Sequence, residues 1–344
     1  MTSKIKDFWV AKTKKSEAFR VQKIPREFSR NPRGFLAKKK SMFYISAAIA
    51  LTVVIFVTYS AYSTYRLVDK MESIETRIQT VNFFIKNIEN DLNNGIYIAG
   101  FRTMLSLNQF ITTNGTYIDD VNARFKESFL NGTIEQQPLS LMQGTTFTDW
   151  ANKISTEADK IDIKFNFTVV DVKLNQSDPW SVDVGLNMSL DIRDKKNTSY
   201  WIRNRYLTTK INIIGFEDPV YVVNSRGRVT NTITQTNVTS FTVNGDITNL
   251  MLHTNHSYYI AHNDSPSFLM RLQGNLGNSS NGIESLVNLD KFQQQNIPLK
   301  DRSVVDYIYF GTGVTTNYRI NQTPEWFKID QGHLATYQVT NLTI

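Results

Sequence analysis

Hydrophobic and polar positions follow three successive patterns along this chain. From Ser41 to Tyr65 no side chain carries a charge, and 45–57 is almost wholly apolar. As a helix, the 21 residues from Met42 to Tyr62 would rise about 31 Å, the thickness of a bilayer's hydrocarbon core. The pattern then narrows to a seam. Leu67, Met71, Ile74, Ile78, Val81, Ile85, Ile88 and Leu92 follow at spacings of 4, 3, 4, 3, 4, 3 and 4, an unbroken heptad run. Isoleucine at both a and d positions leans toward three or four strands if the partner is another copy. No charge code flanks the seam, because Arg77 would face Asn82 and Phe84 would face Glu89. Phe83 and Phe84 widen the apolar face, as on a helix packed against its own domain. The expectation is a transmembrane helix over 41–65 and a heptad stalk helix over 66–94, free to about Val81 and buried beyond.

Helical spacing continues past Gly95 and Gly100 over 96–111, then over 119–130 (Val121, Phe125, Phe129, closed by Asn131-Gly132), then over 148–160 with Thr146 or Thr148 as cap and Trp150 and Ile154 inward. The third pattern has period 2. Ile161, Ile163, Phe165, Phe167 and Val169 alternate with polar residues, and so do Val182, Val184, Leu186, Met188, Leu190 and Ile192. A third strand is predicted at about 200–214. Short polar turns between these strands make an antiparallel meander, with one face covered by the preceding helices. Gly215–Pro219 punctuates the chain. Beyond it the spacing predicts a helix over 267–273 entered through Ser265-Pro266, a polar loop over 275–282, and strands over 303–310 and 334–339. The fold class is thus α+β: a long N-terminal transmembrane and stalk helix, helices on an antiparallel β-meander, and a second, mostly-β portion. The divisions fall at 1–40, 41–65, 66–94, 95–216 and 217–344.

Charge gives this layout a direction. Residues 1–40 hold 13 Lys/Arg against 3 Asp/Glu, and the other 304 residues hold 25 against 28. A basic flank stays cytoplasmic, so the N-terminus is expected inside and the body outside. Phe8, Trp9, Phe19, Phe28 and Phe35 interleave the basic tail; it reads as an interfacial segment on membrane lipid or as a disordered topology signal, and not as a nucleic-acid-binding arm. The body carries 12 Asn-x-Ser/Thr sequons, at Asn114, Asn131, Asn166, Asn175, Asn187, Asn197, Asn237, Asn255, Asn263, Asn278, Asn321 and Asn341, and the tail has none. The charged region and apolar core are too long for a cleaved signal, and no A-x-A site follows, so a retained signal-anchor is expected. The absence of cysteine excludes thiol catalysis, cysteine-bound metal and disulfides.

Candidate chemistry is sparse. His253, His256 and His262 lie close in sequence but match no metal-ligand spacing and read as surface-loop histidines, with His333 apart. Glu217 and Asp218 could form a carboxylate pair, but at a Pro turn they read as solvent-facing or capping residues. Gly311 and Gly313 form a lone GxG, and Asp301, Asp306 and Asp330 are scattered. Tyr307, Tyr309, Trp326 and Phe327 would line either a sugar-binding face or a core. No catalytic, cofactor or metal residue is assigned.

The layout over about 41–214 resembles type IV pilins, whose long N-terminal helix packs on a small sheet and drives assembly. Arg33-Gly34 has the chemistry of their processing site, but Lys38, Lys39 and Lys40 separate it from the apolar run. The body more closely resembles single-span archaeal surface proteins of unassigned activity, through 175–180, 215–221, 265–272 and 282–286. The sequence therefore points to a non-enzymatic, single-pass cell-surface glycoprotein of the cell membrane, binding or assembling at the envelope. It would self-associate through residues 67–92 or meet an envelope partner. A pilin-like subunit and a membrane-tethered envelope hydrolase are the alternatives.

Overall fold

The structure is a computed structural model that describes residues 35–344, with side chains from Phe43 onward. The basic tail expected over 1–40 therefore lies, up to residue 34, outside the described residues. Helix α1 runs Phe35–Asn114, 80 residues. The chain divides after Met71 into two units, the second being Glu72–Ile344.

The described part of the first unit is helical throughout. The hydroxyls of Ser46, Thr52, Thr58 and Thr64 donate to the carbonyls of Phe43, Ala48, Val54 and Ser60 at 2.8–2.9 Å. These four hydroxyls thus find their acceptors within the helix, as hydrocarbon surroundings demand. An 18-residue window of α1 reaches a mean hydropathy of 2.0 with none of it buried. Among the described residues this is the one helix long and apolar enough to cross a membrane.

In the second unit the seam of α1 becomes core. Ile74 and Ile78 are exposed, whereas Val81, Ile85, Ile88, Leu92, Ile96, Ala99, Met104, Leu107 and Ile111 are buried. Of the two phenylalanines, Phe84 packs edge-on against Phe165, but Phe83 points to solvent, on the far side of the seam. Helix α2 (Val121–Asn131) is capped by the Asp120 side chain and closed by Gly132 in the left-handed region. A two-residue ribbon, β1 (Thr133–Ile134) and β2 (Gln137–Pro138), follows. Helix α3 (Phe147–Lys160) opens with a capping box of Thr146 and Asp149. Phe125, Phe129, Phe147 and Trp150 stack in sequence with ring centroids 5.1–5.6 Å apart. Gly95 lets the Trp150 ring lie against the backbone of α1, since a Cβ there would stand 2.9 Å from it.

Strands β3 (Ile163–Asp178), β4 (Ser181–Asp194) and β5 (Tyr200–Asn212) make the expected antiparallel meander, with β4 in the middle. All six apolar alternate residues of β4, Val182 to Ile192, are buried. The phase of β3 holds only to Val169. A bulge follows, Val170 turns outward, and the buried set becomes Val172, Leu174 and Gln176. Ile161 caps α3 and is exposed rather than opening the strand. Helix and sheet are also tied by charge. Glu89 pairs with Arg203 at 3.1 Å and with Arg205, and Arg77 Nε donates to Asp194 at 2.6 Å while its Nη2 donates to the Asp162 carbonyl at 2.7 Å.

Residues 217–344 are mixed rather than mostly β. They form helices α4 (Pro219–Ser225) and α5 (Thr248–His256), strand β6 (Tyr259–Ala261), helix α6 (Phe268–Leu272), strand β7 (Ile283–Ser285), helices α7 (Leu289–Gln294) and α8 (Asp306–Phe310), and strands β8 (Asn317–Arg319) and β9 (Lys328–Asp330). The strands pair as two antiparallel ribbons, β6 with β7 and β8 with β9. The expected strand over 303–310 is replaced by α8, because Asp306 is drawn inward onto Arg271. The one expected over 334–339 is turns, held by bonds from Tyr337 N–H to the His333 carbonyl and from Val339 N–H to that of Leu334. Helix α6 begins after Ser267, two residues later than Ser265-Pro266 implied.

Burial alone would raise the Asp194 carboxyl, but hydrogen bonds from Thr198 and Arg77 outweigh it and hold it below the usual carboxylate range. Its stabilisation is complete above the unfolded-state value of about 3.9 and is lost as pH falls through the lower folded-state value. Thermal unfolding followed by circular dichroism should show a loss of stability below about pH 4, and Asp194→Asn should flatten that acid limb while lowering stability at pH 7.

Candidate functional site

Strand β7 carries neighbouring polar side chains to opposite sides, as period 2 requires. Ser285 and Glu284, both fully buried, each enter a buried polar cluster.

On the Ser285 side the centre is Arg271 of α6, fully buried. Its Nη1 donates to Asp218 at 2.6 Å and to Asp306 at 3.0 Å, and its Nη2 to Asp306 at 3.2 Å and to the Ile283 carbonyl. Asp218 also caps α4 through Val220 N–H and accepts from the Tyr259 hydroxyl at 2.7 Å. Asp306 accepts from Ser285 N–H at 3.1 Å and from its hydroxyl at 2.8 Å. Burial pushes the Asp306 carboxyl up to about 6, with Arg271 pulling the other way. One guanidinium between two carboxylates joins α4, α6, β7 and α8, which are too short to pack stably by themselves.

On the other side Glu284 meets two histidines. His262 Nδ1 and His333 Nε2 each lie 3.2 Å from Glu284 Oε2. Glu284 Oε1 accepts from the Tyr337 hydroxyl at 2.9 Å. His333 Nδ1 faces both Asp330 oxygens at 2.8 and 2.9 Å, and Asp330 is itself held by the Ser303 hydroxyl at 2.8 Å and Gly332 N–H at 3.0 Å. Tyr307 Oη lies 3.1 Å from His333 Nε2. Burial would raise the Glu284 carboxyl, but the two imidazoles outweigh it and hold it at about 2. Burial would lower His333, but Asp330 and Glu284 bring it up to about 10. Gly282 lets the loop carrying His262 close on β7, since a Cβ there would collide with the carbonyl oxygens of His262 and Ser265. His262, Glu284 and His333 together offer two imidazole nitrogens and a carboxylate oxygen, a donor set able to hold a metal ion.

The histidines near in sequence do not come together. His253 is buried in α5, against Phe241 and 3.1 Å from Thr236 Oγ1, and burial lowers it to about 4. It is a core residue rather than a surface-loop one. His256 is exposed and stacks on Tyr258. Asp218, Asp306 and Asp330 are buried, while Asp301 pairs with Lys328 on the surface. Tyr309 and Phe327 are core, with Tyr307 and Trp326 packed partly against them. Glu284 and Arg271 were not singled out as chemistry in the sequence, although they lie in two of the stretches that carry the resemblance to surface proteins. The available signal was one carboxylate in the apolar run of Ile283 to Val287. Eleven of the twelve sequon asparagines are exposed and Asn187, on β4, is half-buried.

Comparison with known proteins finds no matching family model, no matching curated protein and no matching solved structure.

Removing Arg271 would leave two carboxylates buried without their cation. Arg271→Met should destabilise the full chain by about 3–5 kcal/mol in denaturant unfolding. Asp306→Asn, which keeps one complete ion pair, should cost clearly less.

Proposed function

We propose that this chain is a non-enzymatic, single-pass membrane protein that displays residues 72–344 at the cell surface, where they bind or assemble at the envelope. The observation that carries this reading is the apolar stretch of α1, none of whose 18-residue hydropathy window is buried against its own chain. Phe43, Ile45, Ile49, Leu51, Val53, Val54, Ile55, Phe56 and Val57 are all exposed. Such a surface is stable in water only when covered, and a bilayer is the cover its length and composition fit. The excess of Lys/Arg in residues 1–40 supports a cytoplasmic N-terminus. Exposure of eleven of the sequon asparagines supports N-glycosylation of a body on the outer side. A second copy would find the seam at Leu67, Met71, Ile74 and Ile78, which is uncovered; from Val81 the same seam is taken by the chain's own sheet.

Val53→Arg places a charge at the middle of the span, where insertion costs about 2.5–3.5 kcal/mol, so the carbonate-resistant membrane fraction should fall sharply. Protease added to intact cells should degrade residues 72–344 and leave the 1–40 tail intact. Cleavage of the tail with the body protected would reverse the orientation. Intact mass above that of the bare sequence, reduced by Asn→Gln at the exposed sequons, would report the glycans.

A further inference from the structure

We propose that His262, Glu284 and His333 bind one divalent transition-metal ion, with Zn2+ the ion of best fit, through His262 Nδ1, Glu284 Oε2 and His333 Nε2. The hydrogen bonding of the free cluster already assigns these atoms. His333 points Nδ1 at the Asp330 carboxylate, so a ring that gives up its Nε2 proton to an incoming metal keeps the other proton there and turns the Nε2 lone pair toward Glu284. Thr336 Oγ1 lies 3.4 Å from His262 Nε2, which suits the tautomer that leaves Nδ1 bare. Tyr337 occupies Glu284 Oε1. The atoms left over are His262 Nδ1 and Glu284 Oε2, buried and without a hydrogen-bond partner. Glu284 Oε2 thus faces two imidazole nitrogens at 3.2 Å without a well-aligned hydrogen bond, which is costly on a fully buried residue. A cation placed between the three atoms removes that cost.

Spacing selects the ion. Zinc bonds to nitrogen and oxygen are about 2.0–2.2 Å, so the edges of a zinc tetrahedron are about 3.3–3.5 Å. The two edges to Glu284 Oε2 are 3.2 Å each, and all three donors lie within 4.8 Å of one another. The contraction needed is confined to the two histidine nitrogens. Two imidazoles and a carboxylate suit Zn2+ and its neighbours in the first transition row better than Mg2+ or Ca2+, which take mainly oxygen. Charge agrees, since Glu284 and Asp330 together balance a dication when both rings are neutral. Asp330 stands behind His333 as the carboxylate that orients a ligating imidazole and raises its basicity, and Ser303 and Gly332 fix Asp330 in turn. His262 is the partly exposed member, so water reaching the cluster past it can complete the shell. Tyr307 Oη, now 3.1 Å from His333 Nε2, would turn to that water. The ion would clasp the loop after β6, strand β7 and the C-terminal turns. This inference does not rest on the membrane reading.

The test uses the full chain in detergent micelles, stripped with EDTA and titrated with ZnCl2. Metal content, calorimetric binding and thermal midpoint are the readouts. The wild type and His256→Ala, whose exposed ring is outside the cluster, should each take up one equivalent and gain thermal stability with added zinc. His262→Ala and Glu284→Gln should lose uptake and thermal gain, and Asp330→Asn should bind about 10–100-fold more weakly. His262 is partly exposed, so its variant decides the matter if Glu284→Gln fails to fold. No saturable uptake by the wild type would overturn the proposal and leave a cluster held by protons alone. Undiminished uptake in folded His262→Ala, or loss in His256→Ala, would overturn it equally, by placing the ion elsewhere.

Discussion

The seam of α1 needs a cover along its whole length, and the cover changes with the sequence. Where the side chains are uncharged and almost all apolar, none of the described residues shields the helix. From Val81 a narrower stripe suffices, because charged and polar residues fill the other faces and the chain's own sheet takes the stripe. The six apolar residues of β4 face the same core as Val81 to Ile111. Arg77 and Glu89 then fix the register of helix against sheet with hydrogen-bonded ion pairs. Sheet, small helices and aromatic stack are all arranged around that one stripe.

Residues 217–344 are organised differently. No element there exceeds nine residues, so neither helix propensity nor strand pairing can supply much stability. Buried charge takes their place as the joining device. Arg271 gathers two carboxylates, and Glu284 gathers two histidines, with β7 between them. Such clusters are expensive to desolvate, and their value lies in geometry: each fixes the loops that carry its charged members.

Sequence periodicity conveyed the apolar run, the seam, a cap at Thr146 or Thr148 and the meander, because those depend on near neighbours and on burial of one face. It placed the switch from exposed to buried seam within a residue or two of Val81. The bulge at Val170 escaped it, since nothing in an alternating run marks where one residue is skipped. The clusters escaped it for another reason. Arg271 meets Asp218 across 53 positions and Asp306 across 35, and no local pattern encodes which distant acid a buried arginine will find. Proximity in sequence even misdirected, by grouping His253 with His256 and His262 when the true companion of His262 is His333. Asp306 shows the same limit for secondary structure: a stretch rich in strand formers becomes helical because its one acid is needed inside.

Gly282 ties these two clusters to a common fate. Its backbone lies against the carbonyls of His262 and Ser265, and the next residue, Ile283, offers its own carbonyl to Arg271 and its N–H to Pro266. A single added methyl group would lift the His262 loop from β7 and shift the Pro266 segment that backs Arg271. Sequence drift at this position would therefore disturb the histidine pair and the arginine node together.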